Sequence, residues 1–148
     1  MLKKNTLNAK LAKGDPVLGT WNTLASPLVT EVLAESGLDF QIIDLEHGPF
    51  ILDKLHLHVN ACENSSLCTP LVRIPSKEDW MVLQALDQGA HGVVVPHISN
   101  IQEAKELVKS TKYYPNSILN KFRDIIIHFK VCGNSFYCNF VYLFINHK

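Results

Sequence analysis

Phe40-Gln-Ile-Ile-Asp-Leu-Glu-His-Gly-Pro49 is the stretch that decides the fold. A short apolar run ends in three ionisable side chains, and Gly48-Pro49 then breaks the chain. Apolar residues bounded by turn signals read as a buried parallel strand. In α/β proteins the carboxyl end of such a strand is where ligands bind. A core does not tolerate Asp44, Glu46 and His47 together without partners, because buried unpaired charge is costly. These three residues therefore mark a candidate site.

Outward from this run, strand and helix alternate. Before it, Leu7 to Lys13 reads as a leading helix closed by Gly14-Asp15-Pro16, and Val17 to Thr20 as a short first strand. Ser26-Pro27 gives a helix start, with proline at the first helical position, and the helix stops at Gly37. After it, Ile51, Leu52, Leu55 and Val59 mark a helix, and Leu71-Val72 form the centre of a strand ending at Arg73. Ser76 with Asp79 resembles a cap for a helix through Trp80, Leu83 and Leu86, closed by Gly89. Gly92 to Val95 reads as a strand stopped by Pro96, and Ile101 to Val108 as a helix with Glu103, Lys105, Glu106 and Lys109 on its wet face.

This alternation calls for parallel pairing through right-handed crossovers, in a doubly wound sheet or part of a (β/α)8 barrel. The glycine-rich phosphate turn of a dinucleotide fold is absent after the first strand, where Gly19-Thr-Trp-Asn22 stands. Polar groups recur at successive strand ends: Asn22, then Asp44, Glu46 and His47, then Arg73, then His97. A barrel builds one site in this way, which favours the barrel.

The 148 residues, 47% hydrophobic and 19% charged, suit one soluble globular domain. A formal net charge of zero leaves no electrostatic footprint for nucleic acid or an anionic membrane. No stretch approaches a membrane-spanning length, and the polar start lacks the apolar run of a signal peptide, so a cytoplasmic location is expected. Cys62 and Cys68, like Cys132 and Cys138, are separated by five residues, wider than the usual zinc spacing, and read as reduced thiols.

His47, three residues after Asp44, has a carboxylate neighbour, an arrangement common to general bases; it also reads as a hydrogen-bonded loop histidine. Arg73 is suited to hold a carboxylate or a developing enolate, or to form a structural ion pair at a barrel rim. Asp87, at a helix end that prefers cations, has either a specific role or a solvated one. His56, His58 and His91 read as helix-surface or loop residues, and His97 as a residue near the mouth of the site.

Several motifs follow in order: Gly19-Thr-Trp21, Ser26-Pro27 with Glu31, Asp39-Phe40 through Pro49, Leu71-Val-Arg-Ile-Pro75, Leu86-Asp-Gln-Gly-Ala90 and Val95-Pro96. From about Leu7 to Tyr114 the chain resembles the HpcH/HpaI aldolases, class II pyruvate aldolases of the phosphoenolpyruvate/pyruvate (β/α)8 superfamily. The resemblance implies metal-dependent cleavage of a 4-hydroxy-2-oxo acid to pyruvate or a related 2-oxo acid plus an aldehyde, by a homo-oligomer. It places the family's proton acceptor on His47 with Asp44 as partner, the enolate-stabilising arginine on Arg73, and on Asp87 the aspartate that raises the histidine's basicity.

Residues 1–114 thus read as about four βα units of a partial barrel. In the family the metal-binding Glu and Asp follow the fourth helix and hold magnesium, manganese or cobalt. Here Tyr114-Pro115 begins the family's next motif and then departs from it, and Asp124 stands without matching context. Residues 115–148 read as a non-family tail, as from a frameshift, retained intron or gene-model error. It is expected to supply neither the fifth nor the sixth barrel strand in its place, although its apolar runs can form one strand or helix. No bound metal and no useful turnover are expected of this chain alone. The alternative is a non-catalytic half-barrel that pairs with itself or with an intact paralogue.

Overall fold

A computed structural model describes residues 6–65, 67–110, 124–129 and 142–144. Helix α1 (Thr6–Lys13) leads into β1 (Gly19–Asn22), α2 (Pro27–Glu35) and β2 (Phe40–Asp44). A single 3-10 turn (Leu52–Lys54) opens α3 (Leu55–Asn64), followed by β3 (Thr69–Arg73), α4 (Asp79–Asp87), β4 (Gly92–Ile98) and α5 (Ile101–Ser110). Strands β5 (Asp124–Phe129) and β6 (Tyr142–Phe144) complete a sheet ordered β1-β2-β3-β4-β5-β6. Pairing is parallel from β1 through β5, and β6 joins antiparallel.

Each strand presents its side chains alternately to the two faces of the sheet. Ile43, Val72, Val93 and Val95 pack against Leu55, Val59, Val82, Ala85, Ala104 and Leu107 of the helical layer. Burying one such side chain stabilises by about 1.5–3 kcal/mol, so this layer is the main apolar contribution. On the opposite face Ile42, Leu71 and Val94 meet Leu7, with Leu11, Val17 and Phe40 alongside. Helix α1 therefore floors the face that points into the barrel interior.

Several boundaries depart from the sequence reading. The first strand starts at Gly19 instead of Val17 because Leu18 is held just before it: its N–H donates to Asp39 Oδ2 at 3.0 Å and its carbonyl accepts from Asp39 N at 2.8 Å. Ser76 does not cap α4; Glu78 is the N-cap, with no side-chain capping bond, and the Ser76 hydroxyl turns to Met81 Sδ at 3.4 Å. Pro96 does not stop β4, which continues to Ile98 through a register shift against β5. Proline lacks the ladder donor, and a bulge is where a strand accommodates it.

The segment after Tyr114 supplies two strands where one was expected at most. Residues 124–129 pair in parallel with β4, in the position a fifth barrel strand occupies, whereas β6 runs against the direction a sixth would take. Asp124 registers with Gly92, at the amino end of the strands and opposite the end that carries His47 and Arg73. Tyr114, Pro115, Cys132, Cys138 and the apolar run from Phe136 to Val141 lie outside the described residues.

His58, read from sequence as surface or loop, is buried at 6% exposure. It joins a polar network that ties α3 to α2 and to the first two strands. Thr30 Oγ1 lies 2.9 Å from His58 Nδ1, accepts from Asn22 Nδ2 at 3.0 Å and donates to Ser26 O at 3.2 Å. Gln41 closes the network, accepting from Asn22 at 3.2 Å and donating to Thr30 O at 3.0 Å. The Phe50 ring meets the imidazole edge-on, with centroids 4.7 Å apart.

Burial lowers the His58 pKa from its ordinary 6.5 and favours the neutral ring. The unfolded chain then binds the proton more readily than the folded one. This contribution to stability is whole above pH 6.5 and declines as the pH falls below it. We expect a lower urea midpoint at pH 5.5 than at pH 7.5, with a smaller difference in His58→Gln; an unchanged difference in that variant would assign the effect elsewhere.

Candidate functional site

The carboxyl ends of β1 to β4 bring one residue each, or one turn, to a common rim. Asp44 and Arg73 are register partners on adjacent strands, so their side chains leave the sheet on the same face. Arg73 donates from Nε to Asp44 Oδ1 at 2.8 Å and from Nη2 to Oδ2 at 2.5 Å, a bidentate fork. Asp44 Oδ1 also accepts the backbone N–H groups of Glu46 at 3.0 Å and His47 at 3.2 Å. The Asp44 side chain is 2% exposed and that of Arg73 13%.

Burial by itself would raise the Asp44 pKa. The Arg73 hydrogen bond, its charge and the two backbone N–H groups outweigh burial and hold the carboxyl below its ordinary 3.8. Above, the guanidinium carbon stands 4.3 Å from the centroid of the Trp21 ring at the end of β1.

The chain turns immediately after Asp44, with Gly48 N donating to Asp44 O at 3.0 Å. A side chain at Gly48 would place its Cβ 2.3 Å from that same carbonyl oxygen, so the close approach requires glycine. The turn lifts Glu46 and His47 over the rim. Glu46 Oε2 lies 3.2 Å from Arg73 Nη1, and Oε1 lies 3.4 Å from His97 Nε2 and 3.9 Å from His47 Nε2. One carboxylate thus faces three basic side chains from the β2 turn, β3 and β4.

Sequence reasoning brought His47, Arg73 and Asp44 to one place, and the structure gathers all three. It changes the pairing: Asp44 belongs to Arg73 and meets His47 only through the backbone N–H, while the carboxylate facing the imidazole is that of Glu46. Asp87 is the last residue of α4, in the helical layer. Its neighbour Gln88 is bonded to Leu52 O at 2.7 Å and to His56 N at 3.0 Å, apart from the rim cluster. Glu46 was marked with Asp44 and His47 as part of the candidate site but given no role of its own, and Trp21 was quoted only within a motif; their common signal is position at a strand end. His91, also read as a surface residue, is partly buried and lies 2.7 Å from Glu63 Oε1.

The described residues do not fit a divalent metal. Among them no three His, Cys, Asp or Glu side chains converge as ligands, and both rim carboxylates face Arg73. Cys62 and Cys68 are buried, with Cys62 Sγ 3.8 Å from Cys68 O.

Removing one member of a buried pair leaves the other charge uncompensated. Asp44→Asn is therefore expected to destabilise the chain by about 3 kcal/mol in urea unfolding, with part recovered when Arg73→Met is added. Additive losses in the two variants would show that the pair is not coupled.

Residues 18–132 match the model of the HpcH/HpaI aldolase/citrate lyase family, a span that includes β5 and part of the segment read as a tail. A hydroxypyruvate/pyruvate aldolase of Roseovarius nubinhibens is 39% identical over 114 residues, which are 77% of this chain and 44% of that protein. A 4-hydroxy-2-oxovalerate aldolase of Novosphingobium aromaticivorans is 35% identical over 111 residues, covering 75% of this chain and 42% of the other. Among solved structures, an HpcH/HpaI aldolase/citrate lyase family protein from Burkholderia cenocepacia superposes with a TM-score of 0.69 at 33% identity, covering 78% of this chain and 46% of that one. The chain spans less than half the length of these relatives. The α/β alternation, the parallel sheet and the match over residues 18–132 together show that the chain belongs to the HpcH/HpaI aldolase/citrate lyase family and takes the form of a partial (β/α)8 barrel.

Proposed function

We propose that the rim holds the 2-oxo acid of a retro-aldol reaction, in which a 4-hydroxy-2-oxo acid is cleaved to pyruvate or a related 2-oxo acid plus an aldehyde. The observation that carries this reading is Arg73. Its guanidinium is fixed by the Asp44 fork and the Trp21 ring, so a donor edge is oriented before any ligand arrives. Aldolase relatives that act in name on hydroxypyruvate, pyruvate or 4-hydroxy-2-oxovalerate support the substrate class.

In this reading His47 accepts the proton of the substrate hydroxyl. The bond between the hydroxyl-bearing carbon and its neighbour breaks, and the hydroxyl carbon becomes the aldehyde carbonyl. The electron pair moves into the 2-oxo group as an enolate, whose negative charge Arg73 stabilises, and protonation of the enolate gives the 2-oxo acid. Glu46 orients the imidazole in place of Asp44. The divalent cation implied by the family resemblance finds no ligand set among the described residues.

This chain by itself is proposed to bind the 2-oxo acid without turning substrate over. Pyruvate binding followed by calorimetry should weaken about tenfold or more in Arg73→Lys, which keeps the charge but loses the fork; equal affinity in that variant would overturn the assignment. Pyruvate release from a 4-hydroxy-2-oxo acid is expected to stay at background with magnesium, manganese or cobalt. Metal-dependent turnover by the purified chain would sink the claim of inactivity.

A second reading is a non-catalytic half-barrel that pairs with itself. It is favoured by β1 standing at the sheet edge beside exposed Leu24, Leu28 and Val32 at 61%, 69% and 62%. Light scattering separates the two, since a monomer argues against the second.

A further inference from the structure

Between Val95 and Ile98 strand β4 carries one residue more than β5 opposite it, a bulge at Pro96-His97. His97 has φ 61°, the left-handed region, and among the described residues it is the one non-glycine residue there. Its neighbours Pro96 and Ile98 are buried, while the His97 side chain is 64% exposed. An exposed left-handed position is filled most comfortably by glycine or asparagine, and a histidine there is held at a cost.

The bulge and the unusual φ carry the imidazole to the rim. His97 Nε2 faces Glu46 Oε1 at 3.4 Å, and the other oxygen of that carboxylate faces Arg73 Nη1 at 3.2 Å. His97 and Arg73 thus lean on the two oxygens of one carboxylate. With Nε2 turned toward Glu46, the second ring nitrogen remains for a ligand, and no contact among the described residues takes it. A ligand anchored by its carboxylate or 2-oxo group on Arg73 would lie beside the same carboxylate that His97 faces.

We propose that His97 is a specificity-determining residue that reads a hydroxyl group on the 2-oxo acid held by Arg73, with Glu46 as the residue that positions it. The assignment rests on the reading of Arg73 given above. Sites that hydrogen-bond a hydroxyl discriminate against the ligand that lacks it, because a polar group is otherwise left without its partner. The preferred ligand is therefore a hydroxylated 2-oxo acid over its deoxy counterpart.

Hydroxypyruvate and pyruvate differ by that one hydroxyl and serve as the probes, titrated into the full chain by calorimetry. The wild-type protein should prefer hydroxypyruvate by about 5–10-fold, the worth of one hydrogen bond. In His97→Gly the preference should fall to about unity while pyruvate affinity changes less than about twofold, and the melting temperature should rise as the left-handed backbone is relieved. His97→Asn also tolerates this backbone and still offers a polar group, so it should keep part of the preference. The proposal is overturned if the wild-type preference is already near unity, if it survives in His97→Gly, or if both ligands weaken in proportion. Failure to bind either probe would overturn the Arg73 reading together with this one, whereas pyruvate binding without discrimination overturns this one alone.

Discussion

The Asp44–Arg73 pair is the interaction on which the rim depends. Two opposite charges on adjacent strands, both nearly sealed from solvent, are stable only because each finds almost complete compensation. Asp44 receives two donors from the guanidinium and two from the turn that follows it, so one carboxylate fixes the side chain of β3 and the backbone of the β2 turn at once. The position of Glu46 and His47 follows from that turn, and the position of Glu46 sets what Arg73 and His97 face. A neutral residue at Asp44 would fit the space and still undo the arrangement.

The two faces of the sheet divide the remaining work. The helical face is mainly apolar and supplies cohesion. The interior face is graded: Phe40, Ile42, Leu71 and Val94 rest on Leu7 and Leu11 of α1, and the charged pair stands at the carboxyl end of the same strands. An apolar floor beneath a charged rim excludes water from one side and strengthens the electrostatic contacts above it. Among the buried strand residues of the helical face Asn22 and Gln41 are polar, and Gln41 is sealed from solvent. Its amide is absorbed by the network through Asn22, Thr30 and His58, which binds α2 and α3 to the first strands without exposing a polar group to the core.

Much of this was legible before any coordinates. The run from Phe40 to Asp44 has a composition that only a buried parallel strand accommodates, and the ionisable residues after it announced the rim. What the sequence hid were pairings across elements. Asp44 sits three residues from His47, and proximity along the chain suggested a dyad; register placed Arg73 directly opposite instead, and a fork of two N–H groups outcompetes one imidazole for a carboxylate. His58 was missed because helix periodicity shows which face is buried only where neighbours are apolar, and His56, Leu57 and His58 alternate too closely to separate. Pro96 was read as a stop because bulges leave no pattern in a single sequence, and β5 was not placed in the sheet because an apolar run outside the matching motifs does not itself show which strand it pairs with.

The charge balance of the rim constrains what it can hold. Two carboxylates, Asp44 and Glu46, stand against one guanidinium, so the cluster carries an excess of carboxylate over permanent positive charge. A 2-oxo acid anion, the ligand proposed above, would add to that excess, which is costly in a partly desolvated site. In the proposed reading the Arg73 guanidinium is the permanent cation that meets the acid. Glu46 is the group on which such an anion would register, because it already faces the basic side chains of the rim. Its position between two histidines and an arginine leaves it free to adjust to a bound anion, whereas Asp44, saturated by the Arg73 fork and the turn, has no remaining capacity to do so.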